Sequence, residues 1–316
     1  MKLPSITIVG AGISGMSTAW LLLQKGYPVT LVADAFSPYI TSNKAAAFWF
    51  PYNIRNDERG IGWCRESYRY YQQLANEQAI TGISMQILIK VIRQGEIEQE
   101  PVWVSFLPPG SMQLTDAASL PSGIAKQYEV KVPLVETQVF LPWLQNQLLQ
   151  LGASIVKEKI TDLYQEASSC DILINCSGLG AIQLCNDDEL LPVRGQVALL
   201  APLSQPQPIY LDNEKPMYIV PRQDAILVGG TYEVGIASEI TEPATIERLI
   251  NNAIGAWPNL AKQAVIGNWA GIRPYRPTVR LEQEGNIIHN YGHGGSGFTL
   301  AFGCAQEVVQ MVVSLS

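Results

Sequence analysis

Gly10, Gly12 and Gly15 stand as GxGxxG directly after the apolar run SITIV (5–9) and at the start of an apolar-periodic stretch reaching Gln24. Each glycine has its own task there: the first permits a tight turn, the second lets a pyrophosphate approach the backbone, and the third allows close helix packing. Free N–H groups and the positive helix end then stabilise the anion. Asp34 lies nineteen residues past Gly15, after a second strand-like run, PVTLV (28–32), where an acid can accept a ribose hydroxyl hydrogen bond. The combination predicts dinucleotide binding, against the competing reading of a plain tight turn. A second glycine-dense segment, IIHNYGHGGSGFTLAFGCA (287–305), forms another strand-to-helix junction. Its N–H groups suit negative charge on a reduced isoalloxazine ring, which favours FAD over NAD; the alternative is a crossover turn without chemistry.

The elements that must carry these residues alternate along the chain. Strand, turn, helix and a glycine stop at Gly26 open a βαβ unit, followed by an irregular segment, SPYITSNKAAAFWFPY (37–52). A polar helix (64–78), strand-like runs (85–91 and 102–106) and Pro/Gly turns then begin a second unit. An amphipathic helix (141–151) and the strand DILIN (171–175) return to the first. Hairpin-like strands (217–221 and 225–231), with Arg222-Gln223-Asp224 as the turn, and a helix over 243–256 follow, before a strand (286–289) and a terminal helix (298–313). The fold class expected is α/β: a Rossmann-like domain (1–52, 134–191 and 269–316) interleaved with a mixed antiparallel-sheet substrate domain (53–133 and 192–268).

Composition bounds the partners. The 316 residues carry 21 Lys+Arg against 28 Asp+Glu, a net charge of -7, so non-specific binding to a polyanion works against the protein's own field. Charged residues make up 16%, well under the usual quarter of a soluble chain, which fits either a large buried ligand or membrane association. The apolar stretches break before the length of a membrane span, so no transmembrane helix and no membrane partner is expected. The N-terminus reads better as strand, turn and helix than as a signal peptide. Five cysteines with no CxxC pair imply neither a disulfide framework nor a zinc site, and a cytoplasmic location is expected. His289 and His293 lack a third ligand or a GxSxG nucleophile, so no metal is expected.

Taken together, VGAGISG, ADAFSPYITSNKAAAFWFPY, INCSGLGA, PVRGQ, YIVPR, GIRPYRPTVRLE and HNYGHGGSGFT resemble the D-amino-acid oxidase family of FAD-dependent amine oxidases over nearly the whole chain. The resemblance implies a FAD-dependent oxidase that converts D-amino acids and oxygen to 2-oxo acids, ammonia and hydrogen peroxide by hydride transfer to the flavin N5. A glycine or secondary-amine oxidase, a dehydrogenase with another acceptor, and a flavin-binding module without turnover are the rivals. By position, Arg276, the second Arg of RPYRP, matches the arginine that binds the substrate carboxylate, Tyr218 a tyrosine that bonds the same carboxylate, and the Gly295 carbonyl the acceptor for the amine. On residue type alone, an Arg between prolines or a strand Tyr is more often structural. Cofactor contacts are implied at Gly10, Gly12, Ile13, Ser14, Gly15, Asp34, Thr41, Ser42, Ala46, Ala47, Ile160, Ser177, Gly178, Gly294, Ser296, Gly297, Phe298 and Thr299. A homodimer is compatible with the resemblance.

Three departures bear on specificity. The stretch between Arg194 and Tyr218 is short, so a smaller closing loop and an open pocket are expected. The second active-site tyrosine of the animal enzymes falls on Glu214, with Tyr210 as a substitute ring, and a Glu214 facing the pocket would favour a basic side chain. The arginine that marks D-aspartate oxidases falls on Leu211, so a neutral or basic side chain is expected over an acidic one. The run Phe48, Trp49, Phe50 suits an apolar substrate pocket or a core.

Overall fold

The structure, a computed structural model, describes residues 3–52, 57–76, 79–96, 104, 107–213 and 217–315. Apart from Val104, the strand expected over 102–106 lies outside these residues, as does Glu214.

The chain begins with β1 (Ile6–Val9), α1 (Ile13–Gln24) and β2 (Val29–Ala33). It continues through α2 (Glu58–Asn76), β3 (Ile83–Arg93), β4 (Met112–Asp116) and β5 (Ile124–Val135). Next come α3 (Thr137–Gln150), β6 (Ser154–Lys157), the short helix α4 (Leu163–Ala167), β7 (Ile172–Asn175) and α5 (Ala181–Leu184). The second half holds β8 (Leu191–Leu200), β9 (Ile209–Asp212), β10 (Met217–Pro221), β11 (Ile226–Gly229), β12 (Glu233–Val234) and α6 (Pro243–Ala256). It ends in β13 (Val265–Glu284), β14 (Ile287–His293) and α7 (Gly297–Leu315).

All of these strands join one sheet in the order β4-β5-β3-β9-β10-β11-β8-β13-β14-β7-β1-β2-β6, with β12 paired to β8. From β14 to β6 the pairing is parallel. The central strands ITIV and ILIN are buried along their whole length, as expected of a parallel strand covered on both faces. On the other side, most pairs are antiparallel, β3 beside β9 being parallel. The two regions meet at β13. It pairs with β8 from Val265 to Tyr275, then with β14 beyond an irregularity between Tyr275 and Arg280. This strand runs unbroken through position 269, and β5 runs to Val135.

By length and apolarity α7 passes for a membrane span. Its Phe302, Cys304, Ala305 and Val308 are fully buried, and the helix packs on α1 and α2, which accounts for its apolar character as core. All five cysteines are free.

Candidate active site

A cleft of about 1090 Å³ runs along the seam, lined at one end by Asp34, Glu158 and Ile160 and at the other by Tyr218, Thr231 and Arg273. It opens at the carboxyl ends of β1, β2 and β7, where parallel sheets of this kind bind ligands. The first end is built by the glycine turn. Gly10 has φ +109, and a Cβ on Gly15 would overlap the Gly10 carbonyl oxygen, so α1 sits as close to the turn as backbone allows. Gly12 caps α1 without a side-chain hydrogen bond of its own, and Ser42 Oγ accepts from Ile13 N–H at 3.0 Å. The loop carrying Thr41, Ser42, Ala46 and Ala47 therefore folds onto the helix mouth. Ser177 Oγ is buried, lines the cleft and has no hydrogen-bond partner among the described residues. A turn that only glycine fits, an open helix terminus and an orphaned hydroxyl suit a bound pyrophosphate and its attached groups.

Of the expected cofactor contacts, Gly10, Gly12, Ile13, Ser14, Asp34, Thr41, Ser42, Ala46, Ala47, Ile160, Ser177, Gly178, Gly294, Gly297, Phe298 and Thr299 line this one cleft. Gly15 and Ser296 do not. Gly15 packs behind the turn, and the buried Ser296 hydroxyl donates to the Tyr52 carbonyl. Thr299 Oγ1 bonds the main chain of Phe50, donating to its carbonyl at 3.0 Å and accepting from its N–H at 3.3 Å, which ties the 48–52 segment to α7.

At the other end, the guanidinium in the cleft belongs to Arg273. It lies against Gly195 on β8, where any Cβ would overlap the guanidinium, and donates to the Thr231 carbonyl at 2.9 Å. No carboxylate pairs with it among the described residues. Tyr218 is close enough to feel its charge and sits in a slot left by Gly229 and Gly230, and Gly295 lies beside the Arg273 side chain. Burial holds the Tyr218 phenol above its ordinary pKa, with Arg273 opposing, so it stays a protonated donor at neutral pH.

Arg276 does not reach the cleft, which corrects the expectation placed on it. Its guanidinium pairs with Asp187 at 3.0 Å and Glu189 at 2.7 Å and donates to the Thr278 carbonyl. Three residues along a strand reverse the face, so Arg273 and Arg276 cannot both point inward. Gly271, Ile272, Arg273 and Pro274 line the cleft and Arg276 does not, and the small Gly195 stands in register with Gly271 on the neighbouring strand.

Tyr210 also differs from expectation. It packs against Trp257, ring centroids 6.2 Å apart, in a separate core beneath α6, while Leu211 faces the cleft. Period-two alternation likewise splits the aromatic run: Phe48 and Phe50 line the cleft, whereas Trp49 is buried against Tyr68. Tyr52, which no local pattern singles out, lines the cleft and meets Tyr232 edge to face at 6.1 Å. The segment between Arg194 and Tyr218 is partly strand: β9 pairs with β3 and β10.

Gly195 offers a direct probe. Gly195→Ala forces the Arg273 guanidinium out of its seat, and we expect the KM of any carboxylate substrate to rise at least about tenfold with FAD retained. An unchanged KM contradicts the seat.

His293, also in the cleft wall, is buried and contacts Asn290 Oδ1 through Nε2 at 3.1 Å; desolvation lowers its pKa from 6.5 to about 4. It is neutral at physiological pH and is no general acid. Because the unfolded chain takes up this proton first, stability is full above pH 6.5 and is lost as pH falls towards 4, by about 3 kcal/mol. Urea midpoints across that window should therefore fall more steeply for wild type than for His293→Gln; parallel slopes refute the assignment.

Fold and cleft together define a flavin-dependent oxidoreductase. The model of the family described as "FAD dependent oxidoreductase" (DAO) matches residues 5–311, and the chain belongs to that family, whose cofactor is FAD. A D-amino-acid oxidase of Rubrobacter xylanophilus is 33% identical over 312 residues, covering 96% of this chain and 94% of the relative. A human D-aspartate oxidase is 30% identical, covering 99% and 95%. Among solved structures, glycine oxidase from Geobacillus kaustophilus superposes with a TM-score of 0.83 at 18% identity, covering 99% and 95%. At that identity the likeness speaks for the fold.

Proposed function

We propose that the protein is a D-amino-acid oxidase, converting D-amino acids, water and oxygen to 2-oxo acids, ammonia and hydrogen peroxide. The observation that carries this reading is Arg273: a guanidinium at the cleft wall, seated on Gly195 beside Tyr218, with no carboxylate pairing it among the described residues. Its planar fork suits a substrate carboxylate bidentately, and the protonated Tyr218 hydroxyl donates to the same group. The Gly295 carbonyl accepts from the substrate amine. Three fixed points leave the Cα–H a single orientation, so the protein contributes positioning and electrostatics more than proton transfer. When bound, FAD supplies two-electron acceptance from the substrate and reoxidation by oxygen. The glycine turn, the Ser42 loop, Ser177 and the junction from Gly294 to Thr299 hold it. Water then hydrolyses the imino acid product. The relatives named D-amino-acid oxidase support the D hand and the acceptor.

Peroxide release across D- and L-amino acids, glycine and sarcosine tests the reading. D-amino acids should be turned over and their L partners not; turnover confined to glycine or sarcosine, or only with a quinone acceptor, overturns it.

A further inference from the structure

We propose that His289 is a positioning residue for FAD: as a neutral imidazole it holds Asn175 in the orientation that keeps the 175–178 turn against the cleft, and its protonation releases the cofactor. FAD is held this way whichever amino acid is oxidised. Asn175 ends β7 in register with His289 on β14, and both side chains are fully buried. Asn175 Oδ1 accepts from the Ser177 N–H at 3.1 Å, which leaves Nδ2 as the donor to Cys185 Sγ at 3.1 Å and to His289 Nδ1 at 3.2 Å. A backbone N–H can only donate, so the amide orientation is fixed and His289 Nδ1 is the bare acceptor. The imidazole proton therefore sits on Nε2, which faces Glu284 Oε2 at 3.3 Å.

The turn that Asn175 holds is cofactor wall. Ser177 and Gly178 line the cleft, and the Cys176 carbonyl presses on Gly10, where no Cβ would fit. A second proton on His289 sets a donor on Nδ1 against the Asn175 donor. Relieving that clash rotates the amide, the Ser177 N–H loses its acceptor, and the wall beside the glycine turn shifts. The groups facing His289 decide when this happens. From β13, Glu282, its register partner, and Glu284 favour the proton, while Arg280 opposes it. Tyr291, itself bonded to Asp187, stands edge to face at 5.8 Å; Cys185 Sγ lies 3.9 Å from Nδ1, and Tyr164 of α4 donates to Glu284. Burial, followed by Arg280, holds the imidazole below its ordinary pKa of 6.5, so it is neutral at physiological pH. FAD affinity is therefore full at neutral pH and is lost as pH falls through the lowered pKa.

The test is ultrafiltration of holoenzyme between about pH 7 and about pH 5, with released FAD read by its absorbance in the filtrate. The wild-type dissociation constant should rise at least about threefold across that range. His289→Gln keeps an acceptor for Asn175 and a donor for Glu284 but takes no charge. It should bind FAD at neutral pH within about threefold of wild type and lose the pH dependence, whereas His289→Leu, with no acceptor, should bind weakly throughout. A wild-type affinity that stays flat or rises towards low pH, a dependence that survives in His289→Gln, or wild-type binding by His289→Leu overturns the proposal. The chain has two histidines, so spectra of isotope-labelled histidine need no variant. They should show the Nε2–H tautomer for His289 and a higher pKa in FAD-free protein than in holoenzyme; equal values overturn the coupling.

Discussion

Arg273→Ala is expected to lower kcat/KM for every D-amino acid by about 10³-fold or more while the protein stays yellow, because one residue supplies both the charge and the fork that hold the carboxylate. Arg276→Ala should do the reverse. Its guanidinium is already neutralised by Asp187 and Glu189, so turnover should stay within a few-fold of wild type and stability should fall by about 1–3 kcal/mol. Steady-state kinetics and urea unfolding on the two variants separate the assignments. Loss of turnover in Arg276→Ala with activity retained in Arg273→Ala returns the carboxylate site to the second arginine.

Gly15→Ala is the second large effect, and it acts on the cofactor. The added Cβ overlaps the Gly10 carbonyl, backbone that cannot swing aside, so α1 must move away from the turn and its N–H groups leave the pyrophosphate. We expect protein isolated largely colourless, with about 1–3 kcal/mol of stability lost to overpacking. Gly62→Ala is the control, since a Cβ there meets nothing within 4 Å. Stoichiometric FAD in Gly15→Ala, measured by absorbance after gel filtration, contradicts this account of the turn.

The cofactor end was legible because its chemistry is local. GxGxxG fixes one turn, one helix start and one distance to the next strand, so Gly10 to Gly15 and Asp34 are placed by neighbours in sequence. Helices bounded by glycine or proline were equally plain, α1 and α6 falling at their expected residues. The substrate end is assembled from β3, β8, β10 and β13, and long-range pairing decides which side chains meet. No local pattern brings Gly195 under Arg273; register does. Where the sequence did hold information it was parity. Strand alternation separates Arg273 from Arg276, Leu211 from Tyr210, and the two cleft phenylalanines from Trp49. Matching motifs by residue type led to the arginine that lies outside the cleft, because RPYRP offers two, each followed by proline.

If a D-amino acid held at Arg273 delivers its electrons to the flavin, the transfer is visible without oxygen. Anaerobic mixing of the yellow protein with D- or L-alanine, followed at the flavin absorbance band, tests it most directly. Bleaching is expected with the D enantiomer alone, in wild type and Arg276→Ala but not in Arg273→Ala, with colour restored by oxygen. Bleaching by L-alanine, or by D-alanine in Arg273→Ala at the wild-type rate, contradicts it.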